Sequence, residues 1–333
     1  MNDERYYIRK GLELAKEGLG YVSPNPPVGA LIVKAGEIIG EGYHQGAGLP
    51  HAEIVAIDDA LAKGHLLEGA TIYITLEPCC TWGRTPPCTD AIIKQKFKKV
   101  VFAIKDPNPN VSGRSIDILR AEGIEVEYGF EAEHAEWLIE PFATNMNQHR
   151  AFIVLKFAST LDGQIATKTG HAKWISCEKT LDYTHKLRAE YDAILIGSGT
   201  LISDNPSLTT RRVTGKNPVR IVIAGKNKLP LDRKIFTDGG ARSIVATYHD
   251  NPFTGDIPDS VELWRFPEKD GRILIRDIAN RAFNEDIYSI MIEGGSSVNT
   301  QALSEKIADR IYIDIAPKIL GKGIPSIGDL GIE

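Results

Sequence analysis

A chain of 333 residues has room for two domains at roughly 100–200 residues each, and its 42% hydrophobic and 25% charged residues exclude disorder, collagen and a coiled-coil rod as whole-chain descriptions. Lys plus Arg number 39 against 44 Asp plus Glu, a formal charge of −5, so the broad basic face that sequence-independent nucleic-acid binding needs is missing. The charged start Met1–Lys10 is no signal peptide and no later stretch has the apolar length of a membrane helix, which points to a cytoplasmic protein without membrane contact.

Strand-like and helix-like stretches alternate along nearly the whole chain, the pattern of α/β layers. In the first half, Val28–Val33, Thr71–Leu76 and Lys99–Ile104 read as buried strands. Helical periodicity covers His51–Lys63, through Ile54, Ile57 and Leu61, and Thr89–Phe97. The polar stretch Asn145–Arg150 lacks apolar periodicity and precedes a fresh strand signal, so we place a domain boundary there, with domains 1–147 and 148–333. A second series of strands follows at Phe152–Ala158, Ala193–Gly197, Val219–Ala224, Ser243–Thr247, Ile287–Glu293 and Arg310–Ala316.

Of the four cysteines, Cys79, Cys80 and Cys88 fall in one ten-residue window, poor spacing for a disulfide framework and good spacing for a metal site in a reduced compartment. His51-Ala52-Glu53 followed by Pro78-Cys79 and then Cys88 supplies one imidazole and two thiolates, a borderline-soft set for Zn²⁺ that leaves a fourth position for water. Zinc lowers the pKa of such water to roughly 7, and Glu53, close to the site without being a ligand, can shuttle its proton to a leaving amine. This is the arrangement of zinc nucleobase deaminases, in which the second cysteine usually follows after two residues; here eight intervene. Each residue alone reads as ordinary core; their combination does not. Cys80, adjacent to Cys79, can hardly share its metal and reads as a bystander. Cys177 reads as a small residue with no base paired to it.

In the second half no G-x-G-x-x-G follows the first strand. Glycine-rich turns do close two strands, Gly197-Ser198-Gly199-Thr200 and Glu293-Gly294-Gly295-Ser296-Ser297, and such turns let backbone amides approach phosphates. From spacing alone they are equally well plain tight turns.

The segments Ser23–Gly29, His51-Ala52-Glu53, Leu76–Cys79, Gly83–Cys88 and Asp106–Pro109 resemble the deaminase domain of the bifunctional riboflavin-biosynthesis deaminase/reductase family, whose eight-residue gap this is. The resemblance implies a cytidine-deaminase-like three-layer α/β/α domain acting on a diaminopyrimidinone ribosylamine 5′-phosphate, with Asn25 and Arg84 against the substrate. Leu155-Lys156, Ser159–Gly163, Trp174–Ser176, His185–Arg188, Asp192–Gly197, Asp204–Thr209 and Ala316–Gly321 are similar to the same family's reductase domain. That implies a dihydrofolate-reductase-like α/β domain that uses NADPH to reduce the ribosyl chain to ribityl, and assembly as a homodimer or higher oligomer. By matching motif, Ala158, Trp174, Thr200, Asp204 and the turn Gly295, Ser296, Ser297, Val298 would meet NADPH. Ala172, Arg188, Leu208, Arg211 and Glu293 would meet the substrate, the two arginines by gripping its phosphate.

The chain departs from the family's pattern in places. Cys80-Thr81 replaces a Ser-His pair, Ser115 replaces the second glycine of a G-R-G segment, Leu138–Phe142 differs from Leu-Asn-x-x-Phe, and Ala224 stands where a strand normally ends in Asp. A further strand is expected beyond Pro317–Gly323; without it one sheet edge is unpaired. Two alternatives stand beside the leading one: a deaminase for another nucleobase, against which the cysteine gap, the acidity and the second domain argue, and a structural zinc site with a nucleotide-binding regulatory module, which lacks a fourth ligand.

Overall fold

The computed structural model describes residues 3–83, 86–172, 175, 177–250 and 258–332. The chain divides into two compact units, Met1–Gln148 and His149–Glu333, and its architecture is α/β throughout. Among the described residues no helix is long and apolar enough to cross a membrane.

The first unit runs α1 (Glu4–Lys16), β1 (Gly29–Lys34), β2 (Glu37–Tyr43), α2 (Ala52–Ala62), β3 (Thr71–Ile74), α3 (Cys88–Lys94), β4 (Lys99–Phe102), α4 (Arg114–Ala121), β5 (Glu125–Tyr128) and α5 (Ala132–Gln148). Its five strands lie in the order β2-β1-β3-β4-β5, with β1 antiparallel to both neighbours and β3, β4 and β5 parallel. Alternation along the strands feeds two cores. Ala30, Ile32, Val100 and Phe102 point to one face with Ala56, Ile57, Ile92 and Leu119 from α2, α3 and α4. Leu31, Val33 and Val101 point to the other with Tyr7, Ile8, Leu12, Leu138 and Ile139 from α1 and α5. The result is three layers.

The strand β2 has no strong signal in the sequence because two of its positions are Gly40 and Gly42. The reason is packing: a Cβ at Gly40 would come within 2.5 Å of the Ala56 carbonyl oxygen and one at Gly42 within 2.6 Å of the Ala56 nitrogen. The strand gives up side chains so that α2 can lie directly on its backbone. The stretch Asn145–Arg150, read above as irregular, is helical as far as Gln148, with Thr144 and Asn145 buried.

The second unit runs β6 (Phe152–Thr160), β7 (Gln164–Thr167), α6 (Glu178–Glu190), β8 (Ala193–Gly197), α7 (Ser198–Asp204), β9 (Val219–Gly225), α8 (Lys234–Thr237), β10 (Ser243–Tyr248), β11 (Val261–Phe266), α9 (Ile275–Asn284), β12 (Ser289–Ile292), α10 (Ser296–Ser304), β13 (Arg310–Ala316) and β14 (Gly323–Pro325). Seven strands form one sheet in the order β11-β10-β9-β8-β12-β6-β13, with every neighbouring pair parallel. As a parallel sheet requires, both faces are covered: α9 and α10 pack Ile275, Ile278 and Ala302 on one, α6, α7 and α8 pack Leu187, Leu201 and Phe236 on the other. The short β14 pairs with β7 in a separate two-stranded sheet, and among the described residues no strand follows it to pair with the large sheet. That leaves β13 at the edge of the large sheet, with Ile311, Ile313 and Ile315 exposed.

This topology positions a site. Strand β8 leads through α7 to β9 on one side, whereas β12 leads through α10 to β13 on the other. The order reverses between β8 and β12, and in open α/β sheets the crevice at the carboxyl ends of such a pair receives the ligand.

Candidate active sites

In the first unit, His51 is the N-cap residue of α2, Cys79 lies in the loop after β3, and Cys88 opens α3. Their ligating atoms all lie within 4.8 Å of one another: His51 Nδ1 is 3.5 Å from Cys79 Sγ and 3.3 Å from Cys88 Sγ. The Cys88 amide donates to Cys79 Sγ at 3.4 Å. Hydrogen bonds from the Cys88 thiol and from His51 hold Cys79 down at about 4, while the same thiol-to-thiolate bond and burial push Cys88 up. The pair therefore favours a thiolate at Cys79 over one at Cys88. No other group of three His, Cys, Asp or Glu among the described residues is so arranged, and Cys80 is not part of this one.

Glu53, in the first turn of α2, is buried. Burial, and then the negative charge of Cys79, push its carboxyl from 4.5 to about 7. A carboxyl poised there can both take and give a proton at neutral pH. Asn25 Nδ2 lies 2.9 Å from Nε2 of His44, whose Nδ1 is 3.0 Å from the Pro50 carbonyl. A carbonyl only accepts, so Nδ1 carries the proton and Nε2 accepts from the Asn25 amide. Burial pushes His44 down and so favours that neutral form. Asn25 Oδ1 is left as an acceptor, and the His44 ring meets His51 edge-on with centroids 5.4 Å apart.

Beneath the loop, Glu77 is buried and accepts from the amides of Asp106, Gly113 and Ser115 and from the Ser115 hydroxyl. Asp106 is buried too, and burial raises its carboxyl to about 6. Thr81 is half-buried and Trp82 exposed. Arg84 lies outside the described residues.

In the second unit a cavity of about 1260 Å³ follows the carboxyl ends of the parallel strands, larger than the roughly 300–1,000 Å³ of ordinary small-molecule pockets. Both glycine-rich turns open into it. A Cβ at Gly295 would touch Thr200 Oγ1 at 3.4 Å, and one at Gly197 would press on Val298 at 2.9 Å, so the turns after β8 and β12 meet at the reversal point. Thr200, Asp204, Gly295, Ser296, Ser297 and Val298 line the cavity, as do Ala158, Ala172 and Glu293. Trp174 lies outside the described residues. Lys156 also faces the cavity, with Nζ donating to Thr184 Oγ1 at 2.8 Å and paired with Asp314 at 3.0 Å.

Arg188 is not on the cavity wall. Its guanidinium closes on the Glu293 carboxylate, Nε and Nη2 each donating at 2.7 Å, and Nη1 donates to the Thr209 carbonyl at 3.3 Å. Burial would raise the Glu293 carboxyl, but the charge and hydrogen bonds of Arg188 outweigh it and hold Glu293 ionised. Nor do Leu208 and Arg211 line the cavity: Leu208 is buried with φ of +52°, and the Arg211 amide donates to Nδ1 of His185 at 3.2 Å. The Arg211 side chain is exposed and joins no ion pair among the described residues.

Residues 1–104 match the model of the cytidine and deoxycytidylate deaminase zinc-binding region, and residues 151–333 that of the RibD C-terminal domain. Riboflavin biosynthesis protein RibD of Aquifex aeolicus is 45% identical over 99% of this chain and 91% of its own length. The chain belongs to the RibD family. The Escherichia coli RibD is 37% identical over 96% of the chain and 89% of its own. A Thermotoga maritima diaminohydroxyphosphoribosylaminopyrimidine deaminase/5-amino-6-(5-phosphoribosylamino)uracil reductase superposes with a TM-score of 0.87 at 40% identity, covering 99% of this chain and 92% of that one. As a RibD, this is a bifunctional enzyme of riboflavin biosynthesis, with a zinc-dependent deaminase domain and an NADPH-dependent reductase domain.

Two features of this RibD's sites carry no signal of their own in the sequence. His44 is a lone histidine after a glycine-bearing strand, and Glu77 is one acidic residue inside a motif already read for its cysteine. Both matter through partners distant in the chain.

Proposed function

We propose that residues 1–147 deaminate the ring of 2,5-diamino-6-(ribosylamino)-4(3H)-pyrimidinone 5′-phosphate and residues 148–333 then reduce its ribosyl chain to ribityl. The single observation that carries the first step is the His51–Cys79–Cys88 group with buried Glu53 beside it. The donor set fits zinc: one imidazole and two sulfurs, with the thiolate favoured at Cys79, and no fourth protein ligand among the described residues to close the site. Bound there, zinc supplies Lewis acidity that makes water nucleophilic near neutral pH. Glu53 accepts a proton as water adds to C2 and returns it to the amine, which leaves as ammonia. Asn25, oriented by His44, offers Oδ1 to a ring donor, and Arg84 contacts the same substrate.

For the reduction, NADPH supplies hydride to C1′ of the opened sugar. The cavity size and the meeting of the two glycine-rich turns suit a dinucleotide lying across β8 and β12, against Ala158, Thr200, Asp204 and Gly295–Val298; the motif match assigns Trp174 to the same cofactor. Glu293, fixed and ionised by Arg188, accepts from sugar hydroxyls near Ala172. The phosphate falls to Arg211, whose guanidinium is free where that of Arg188 is occupied. The enzyme works in the cytoplasm as a homo-oligomer.

Chelation separates the halves. Stripping the metal should abolish ammonia release and leave NADPH oxidation on the deaminated pyrimidine intact, with zinc alone restoring the first activity. Deamination by the metal-free protein would overturn the reading.

A further inference from the structure

The cavity of the second unit has two charged ends. Because all seven strands are parallel, their carboxyl ends form one row. Lys156 on β6 and Glu293 after β12 stand at one part of it, and the residues after β9 and β10 at another. From β6 to β9 is three strand spacings, about 14 Å at ~4.8 Å each, so an extended dinucleotide whose nicotinamide lies near Glu293 carries its adenosine toward β9.

Two turns that each carry a cation meet there. Gly225 closes β9 with φ of +57°, and a Cβ on it would touch the Tyr248 hydroxyl at 3.4 Å. That hydroxyl, at the end of β10, donates to the Gly271 carbonyl at 2.6 Å. Lys226 follows Gly225 and Arg272 follows Gly271, so the tyrosine holds together the two turns that bear them. Both line the cavity, and among the described residues neither side chain forms an ion pair. Asn227 completes this end through a hydrogen bond of 3.0 Å from Nδ2 to Ser198 Oγ. The acidic lining residues, Asp204 and Glu293, belong to α7 and to the turn after β12. Ala224 precedes Gly225 at the end of β9, and Glu268, the carboxylate whose charge acts on Tyr248, does not line the cavity.

We propose that Lys226 and Arg272, on the two turns that the Tyr248 hydroxyl joins, receive the adenosine 2′-phosphate and thereby make this reductase select NADPH over NADH. The inference rests on the cavity being the dinucleotide site. A phosphomonoester dianion between a lysine and an arginine makes charge-assisted hydrogen bonds that a ribose hydroxyl cannot reproduce. Both side chains can be changed without opening a core, because neither is buried.

The test is direct binding to the full chain, by quenching of tryptophan fluorescence with NADPH and NADH and by calorimetry with adenosine 2′,5′-bisphosphate and 5′-AMP. Lys226→Gln and Arg272→Gln should each weaken NADPH and the bisphosphate by about tenfold or more and leave NADH and 5′-AMP within about twofold. Wild-type binding of NADPH alone should weaken steeply with salt. Variants that lose both cofactors equally, or that keep the full preference, overturn the role of these two residues while leaving the reductase assignment standing. A wild-type chain that binds neither cofactor overturns both.

Discussion

The Ser115 hydroxyl donates to Glu77 Oε1 at 2.7 Å, with Ser115 fully buried at 0% exposure. Glu77 stands two residues before Cys79, and its carboxylate gathers four donors from the loop that carries Asp106 and from the start of α4. Ser115 occupies a place where glycine is usual in the family's pattern, so this chain adds a charge-assisted bond under its metal-binding loop.

Removing that bond leaves part of a buried carboxylate without its donor. Ser115→Ala should cost roughly 1.5–3 kcal/mol, the range for hydrogen bonds to charged groups, read as a lower urea midpoint with an unchanged slope. Zinc content should stay at one per chain. An unaltered midpoint would show that the amides alone satisfy Glu77.

Glu53→Gln keeps the shape of the side chain and removes its proton chemistry. Zinc binding should persist, because Glu53 is outside the group that converges on the metal position, and deamination should fall by about 10²–10⁴-fold, the usual worth of a positioned acid/base. Reduction of the deaminated pyrimidine should continue at the wild-type rate. Deamination at a near wild-type rate would remove Glu53 from its role.

Arg188 and Arg211 should separate. Arg188→Ala takes the guanidinium away from the half-buried Glu293 carboxylate, and losing a charge-assisted pair costs stability, so the melting temperature should drop. Arg211→Ala takes away an exposed, unpaired guanidinium, so stability should hold while the KM for the phosphorylated substrate rises and that for NADPH does not. Equal effects of Arg211→Ala on both KM values would contradict a phosphate contact.

His185 ties pH to the same loop. Burial, then the nearby charges of Arg188 and Arg211, lower it from 6.5 to about 4, and its neutral Nδ1 accepts the Arg211 amide. Between these two values the unfolded chain binds more protons than the folded one, so stability is full above 6.5 and is lost as pH falls toward 4. His185→Asn, which cannot protonate, should flatten the melting temperature over that window. A variant with the wild-type pH dependence would place its origin elsewhere.

These residues also show where reading the chain stops. His51, Cys79 and Cys88 are legible because metal ligands are rare residue types and stand at element ends, His51 and Cys88 at helix starts and Cys79 in the loop after β3. The strands of the second unit are legible because a sheet covered on both faces needs long apolar runs. The strand β2 is not, since Gly40 and Gly42 trade side chains for contact with α2. The phosphate role expected of Arg188 rests on residue type and motif, whereas its pairing with Glu293, 105 positions away, comes into reach only through the order β8-β12. His44 escapes notice for the same reason, its meaning residing in Asn25 and Pro50 together.

The most direct measurement is an ordered assay on the zinc-loaded full chain given the diaminopyrimidinone ribosylamine phosphate, following ammonia and NADPH absorbance separately. Ammonia should appear without any cofactor, and NADPH should be consumed only after it is added to the deaminated product. Zinc bound at one per chain with no ammonia released, or NADPH oxidised while the ring still carries both amines, would contradict the assignment of two successive activities to these two units.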